Sequence, residues 1–108
     1  MSAAAVPTAF RLEGAGEGRL AAHGALTFAS ARAARVLGLA AVKDGGRGAL
    51  EIDCQGIASA DSAGLAVLID WLGAARQAGR SLRYRGIPED VRALARISQI
   101  EEFLAQGV

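Results

Sequence analysis

The sequence predicts a single α/β domain in which helices pack on a small mixed β-sheet. Three observations carry that expectation. Strand-like and helix-like segments alternate along most of the chain. The length of 108 residues suits one domain of the usual ~100 to 150 residues and leaves little core to divide. Apolar residues make up 52% of the chain and charged residues 21%, a balance that supports a compact fold and argues against global disorder. With three Phe, one Trp and one Tyr, the core must be built mainly from Ala, Leu, Val and Ile.

Residues 1–7 are small, Ala-rich and end in Pro7, so they form a loose lead-in, and the domain is expected over residues 8–108. TAFRLE at 8–13, the glycine-rich GAGEG at 14–18 and RLAAHGAL at 19–26 form a strand, turn and strand, a hairpin. Thr27 caps a helix over 28–41 that stops before KDGGRG at 43–48, with Arg32 and Arg35 on its solvent side. ALEIDC at 49–54 is a short apolar strand of the kind buried inside a sheet, followed by the small and turn-forming QGIASAD as a connection. Asp61 or Ser62 caps the next helix, whose length and composition carry it to Gly79. SLRYR at 81–85 is a strand. Pro88 suits the first position of a helix over 88–99, and Glu89 and Asp90 suit its positive end. A last short helix over 101–105 brings Ile100, Phe103 and Leu104 back onto the body. Parallel strands joined this way require right-handed crossovers.

Several function classes fall away on composition. The net charge is +1, which provides no broad attraction for a phosphate backbone, and the few aromatics make a thin stacking platform for bases. The single Cys54 excludes an internal disulfide framework, and the lone His23 leaves no soft ligand set for zinc. The N-terminal residues lack a basic stretch followed by a sustained apolar one, so no signal peptide is expected. The longest apolar runs, at 37–42 and 64–69, fall far short of the ~20 residues that span a bilayer. A soluble, cytosolic protein is expected. An enzyme needs nucleophile, base and charge stabiliser in one pocket; His23 has no sequence neighbour to orient it, Cys54 ends an apolar strand, and neither glycine-rich loop is a P-loop or dinucleotide fingerprint. No catalytic residue and no cofactor is expected.

The informative constellation is Asp61, Ser62, Ala63, Gly64 and Leu65, where a loop after a strand opens a long helix. Ser62 there can cap the helix, or accept a phosphate, because exposed amides and the dipole at a helix start tolerate negative charge. On a wheel of ~3.6 residues per turn, Leu65, Leu68, Leu72 and Ala75 form the stripe that anchors the helix to the sheet. Val67, Trp71, Ala74 and Ala78 widen the apolar arc beyond it. That surplus is expected to meet a partner, with Trp71 as its anchor, unless a neighbouring helix around Leu94 and Ile97 covers it. The expected partner-binding set is therefore Asp61, Ser62, Ala63, Gly64, Val67, Trp71 and Ala74.

LTFASA at 26–31, the run from LEIDCQ through DSAGL to the helix end at 50–79, and LRYRGIPEDVRALARISQIEEFL at 82–104 together resemble the STAS family of sulphate-transporter and anti-sigma-antagonist domains, DSAGL being the most specific part. Within that family the chain is similar to the MlaB-like group. The resemblance implies a STAS fold and a non-catalytic cytoplasmic subunit, peripheral to the inner membrane through its partner. That partner would be the ATPase of an ABC-type phospholipid transporter (the MlaF-like subunit) and, through it, a permease; the role would be to stabilise or regulate the ATPase and so maintain outer-membrane lipid asymmetry. The alternative it implies is an anti-sigma-factor antagonist in which Ser62 is phosphorylated by an anti-sigma serine kinase. Thr is frequent at this position in MlaB-like members and Ser in phosphorylated antagonists, so Ser62 keeps both readings open.

Overall fold

The structure is a computed structural model that describes residues 9–44 and 48–108. The expected lead-in at 1–7, and residues 45–47 of the glycine-rich turn at 43–48, lie outside the described residues. Strands β1 (Arg11–Gly14), β2 (Arg19–Leu26), β3 (Leu50–Ala60) and β4 (Leu82–Arg85) form one sheet in chain order. β1 runs antiparallel to β2 as the expected hairpin, and β2, β3 and β4 run parallel. The crossovers are α1 (Ala31–Lys43) and α2 (Ser62–Gln77), and the chain closes with α3 (Glu89–Ile97) and α4 (Glu101–Gln106). This is the mixed α/β architecture the sequence predicts.

Strand alternation decides which face of the sheet the helices cover. Ala22 and Leu26 of β2, Leu50, Ile52 and Cys54 of β3, and Leu82 and Tyr84 of β4 are buried. In β3 and β4 the intervening residues Glu51, Asp53, Arg83 and Arg85 are charged, and Glu51 meets Arg19 at 3.9 Å and Arg85 at 3.7 Å on the outer, solvated face. An apolar and a polar face alternating along these two strands is what a sheet covered on a single side requires.

Among the boundaries that depart from the sequence reading, two bear on the site. β3 does not end at Cys54 but continues through Gln55, Gly56, Ile57, Ala58 and Ser59 to Ala60, paired with the second half of β2. The pairing shifts register between Ala21 and His23 and again between Gly24 and Ala25. Such irregularities interrupt the two-residue alternation that marks a strand in sequence. α1 begins at Ala31 rather than Phe28, because residues 27–30 close a turn: the Ser30 amide donates to the Thr27 carbonyl at 3.0 Å, the Thr27 amide donates to Ser30 Oγ at 3.0 Å, and Ser30 Oγ donates to the Ala25 carbonyl at 2.8 Å. Thr27 is therefore not the helix cap.

A larger correction concerns Trp71. Expected at a partner surface, it is fully buried, as is Val67 at 3% exposure. α1, rather than the α3 region, covers this flank of α2. Gly38 of α1 faces the indole, so closely that a Cβ on Gly38 would clash with the ring. The indole Nε1 donates to the Arg35 carbonyl at 3.3 Å, and the Phe10 ring lies 6.1 Å away, tilted by 43°. Of the surplus apolar arc of α2, Val67 and Trp71 are thus spent inside the domain, while Ala74 is half-buried and Ala78 exposed.

The other end of α1 is held by Arg80, a buried cation. Its Nε donates to the Gly48 carbonyl at 2.6 Å, and one terminal nitrogen donates to the carbonyls of Ala41, Val42 and Asp44 at 3.2, 2.9 and 2.6 Å. A guanidinium there satisfies carbonyls that a helix end leaves open and sits at the negative pole of its dipole.

Two outcomes follow from this packing. Trp71→Ala lowers the unfolding free energy by ~3 to 5 kcal/mol in urea melts, the usual cost of emptying a large aromatic site, and Gly38→Ala is also destabilising, its effect shrinking in a Trp71→Leu background that makes room for the methyl group. Arg80→Met, which keeps the apolar stem, costs about 3 kcal/mol in the same assay because the carbonyls of α1 lose a charged donor.

Candidate functional site

The site is organised by the point where β3 delivers the chain to α2. Asp61 is the N-cap: its Oδ1 accepts the Gly64 amide at 3.0 Å. Its Oδ2 accepts the Phe28 amide at 3.0 Å. One carboxylate therefore ties the start of α2 to the turn between β2 and α1. These amides, Phe28's first and Gly64's second, hold the Asp61 carboxyl below the ordinary carboxylate range. Gly64 is required by proximity, since a Cβ there would fall on the Leu26 carbonyl oxygen. The DSAG run thus encodes a cap, an exposed hydroxyl and a glycine that lets α2 approach the end of β2.

Ser62 is exposed beside this clasp, and its hydroxyl forms no hydrogen bond among the described residues. Around it lies apolar surface that the sequence reading did not single out. Phe28 holds its backbone against Asp61 while its side chain is 83% exposed. On the other side of Ser62 a groove of about 410 Å³ runs between α2 and α3, floored by Leu65, Ala66, Ile69 and Leu94 and edged by Ile97. Ile97 is 80% exposed. Phe28 and Ile97 thus flank the start of α2.

Of the seven expected partner-binding residues, the structure brings Asp61, Ser62 and Ala63 together at the surface and buries Gly64, Val67 and Trp71; Ala74 is half-buried, lining the groove between α1 and α2. Phe28 was missed because it reads in sequence as the first residue of a helix rather than part of a turn, and Ile97 because it was weighed with Leu94 as cover for α2, whereas it is 80% exposed. The available sequence signal was the scarcity of aromatics, which makes one placed in a turn conspicuous.

The residues weighed for chemistry lie apart from this surface. Cys54 is buried in β3, and burial first, then the Asp53 charge, pushes its thiol up to about 12. A thiol so placed is protonated at neutral pH and unreactive. His23 stands on the outer face of the sheet, its Nε2 3.4 Å from Glu13. No three His, Cys, Asp or Glu side chains among the described residues gather as a metal site, and no described helix is long and apolar enough to cross a membrane.

What the geometry offers is a rigid, partly apolar surface, and the family comparison agrees. The family described as "Mlab, STAS domain" matches residues 10–106. The chain belongs to the STAS family. Its members are protein-interaction modules. No curated protein matches the sequence. Among solved structures, the anti-sigma-factor antagonist SpoIIAA in its unphosphorylated form is similar with a TM-score of 0.62 at 14% identity, covering 82% of this chain and 83% of its own. At that identity the likeness shows a shared fold.

The Asp61 clasp sets a pH dependence. A carboxylate with a depressed folded value contributes stability above its unfolded value of ~3.9, and that contribution is lost as pH falls through the folded value. Urea melts from pH 6 down to 2 should show Asp61→Asn retaining a shallower slope than the parent below about pH 4, because the amide keeps an acceptor oxygen but has no charge to lose.

Proposed function

We propose that this STAS domain is a non-catalytic subunit that docks on the ATPase of an ABC-type phospholipid transporter and stabilises or regulates it, through the surface formed by Phe28, Ser62 and the α2–α3 groove up to Ile97. On this reading it works in the cytoplasm, is held at the inner membrane by an MlaF-like ATPase and its permease, and contributes to outer-membrane lipid asymmetry. The single observation that carries the docking surface is the pair of large, exposed apolar side chains, Phe28 at 83% and Ile97 at 80%, on either side of a helix start fixed by Asp61. Large apolar groups held out from a rigid frame lose little conformational entropy on binding and exclude water from the polar centre between them. The membership in the MlaB-type family supports the choice of an ATPase as the partner. The family's function as binding modules and the inert placement of Cys54 support the absence of catalysis.

A second reading rests on Ser62. Its exposed hydroxyl at a helix start is accessible to a kinase, and the domain then acts as an anti-sigma-factor antagonist released or engaged by phosphorylation. A phosphate there shares the helix start with the Asp61 carboxylate, and the two negative charges repel.

Binding of the purified ATPase, followed by calorimetry, separates the readings. Phe28→Asp and Ile97→Asp each weaken the complex about tenfold or more, a loss of ~1.4 kcal/mol or above, while their urea midpoints stay near the parent's because both side chains lie outside the core. Unchanged affinity in both variants removes this surface as the dock. Stoichiometric phosphate on Ser62 in protein taken from its own cells, with a serine kinase as partner, replaces the transporter reading with the antagonist one.

A further inference from the structure

The outward side of α1 presents a second apolar strip with no partner in the domain. Ala34, Gly38 and Val42 turn inward and are buried. Ala33, Val36, Leu37 and Ala40 follow the spacing i, i+3, i+4, i+7 and are exposed, Val36 at 60% and Leu37 at 43%. That spacing is a continuous helical stripe roughly 100° wide, the width by which a helix ordinarily packs against another element. Its two alanines give a second helix room to approach. Solvent is an unfavourable neighbour for such a stripe, and neither the sheet nor another helix of the domain requires it.

Charge decides among the possible occupants. α1 contains three cations, Arg32, Arg35 and Lys43, and no acidic residue. Arg35 is engaged by Asp70 of α2 at 3.1 Å. Arg32 and Lys43 form no ion pair among the described residues. They are eleven residues apart, three helical turns, so they stand in line along one margin of the stripe, about 16 Å apart at ~1.5 Å per residue. In a two-fold pairing of α1 with α1 of a second copy, centred on Val36 and Leu37, Arg32 of each copy falls near Lys43 of the other, and like charges meet at both ends. A bilayer gains little from a stripe that is half alanine methyls. A helix with an apolar face and carboxylates along one flank fits both features.

We propose that the outward face of α1 is a docking surface for an amphipathic helix of another protein, seated on Ala33, Val36, Leu37 and Ala40 with Asp or Glu side chains set against Arg32 and Lys43. This surface is distinct from the one around Ser62 and does not depend on it. Bound there, a partner segment leaves the α2–α3 groove open, so the domain can hold two partners, or two segments of one partner, at once.

The test uses the 108-residue chain and two synthetic 18-residue helical peptides that share a Leu and Ala face. One carries Glu along the flanks and the other Lys. Backbone amide shifts are mapped during titration, and affinities are measured at two salt concentrations. The expected result is that the Glu peptide perturbs amides of α1 and binds at least tenfold tighter than the Lys peptide. Its affinity should fall with added salt and be lost in both Leu37→Glu and Val36→Glu, whose side chains lie outside the core. The proposal is overturned if neither peptide binds, if both bind alike, or if the shifts fall on the α2–α3 groove instead of α1. Self-association in sedimentation equilibrium that Leu37→Glu abolishes assigns the stripe to a second copy, and binding to phosphatidylglycerol vesicles abolished by the same variant assigns it to a bilayer; either result also overturns the proposal.

Discussion

Gly38 and Trp71 form the contact on which the arrangement of helices turns. The indole fills the space left by the missing side chain on α1 and anchors its nitrogen to the Arg35 carbonyl. Because the ring is wide and flat, α1 cannot slide or rotate over α2 without either opening a void or driving another side chain into the indole, and close-packed interiors resist both. With the middle of α1 fixed there and its C-terminal end gathered by Arg80, the position of its first turn is determined. The turn before it is tied to the same frame by Ser30 and Asp61. The exposed Phe28 is therefore carried by a turn in which Thr27 and Ser30 bond to each other and the Phe28 amide is held by Asp61.

The start of α2 shows how a few residues separate stability from recognition. Asp61 satisfies amides on two segments, and Gly64 admits the backbone of β2. Neither needs its side chain to face a partner. Ser62 between them contributes nothing to the clasp and is left outside it. Phe28 and Ile97 likewise stand clear of the core. The residues that make the frame and those that face outward are interleaved in sequence yet divided in role, so the outward set can vary without loss of fold.

Most of the architecture was legible because its elements announce themselves locally. The β1–β2 hairpin, α2 and the Pro88-led α3 each combine a turn or cap residue with a matching periodicity, and all were expected near their observed places. What was not legible was set by distant partners. The second half of β3 is made of small and polar residues whose strand conformation depends on pairing with an irregular stretch of β2. The wide apolar arc of α2 was visible, but whether a neighbour or a partner covered it depended on a glycine 33 positions earlier in α1. Trp71 was consequently placed outside when it belongs inside. Arg80 gave no sign of its burial, since four carbonyl acceptors carry no side-chain signature. For the site, the DSAG run pointed to a cap by Asp61 or Ser62, and only the folded arrangement showed that Asp61 is the cap, that it also holds the Phe28 amide, and that Phe28 and Ile97 lie near it.

The burial of both flanks of α2 also constrains how any partner can engage it. Its exposed residues Ser62, Ala66, Asp70, Gly73, Arg76 and Gln77 form a narrow strip that widens only at the C-terminal end of the helix. α1 covers one side of that strip and α3 flanks the other. A strip so narrow, two of whose members are Ala and Gly, offers too little area to be gripped alone, so a protein that touches α2 must rest on α1 or α3 as well. Specificity then falls to the side chains on those outer helices, where substitutions cost the core little. The central helix can stay fixed in sequence and position while its neighbours adapt to different partners, which is how one small scaffold can serve as a binding module for proteins of unlike shape.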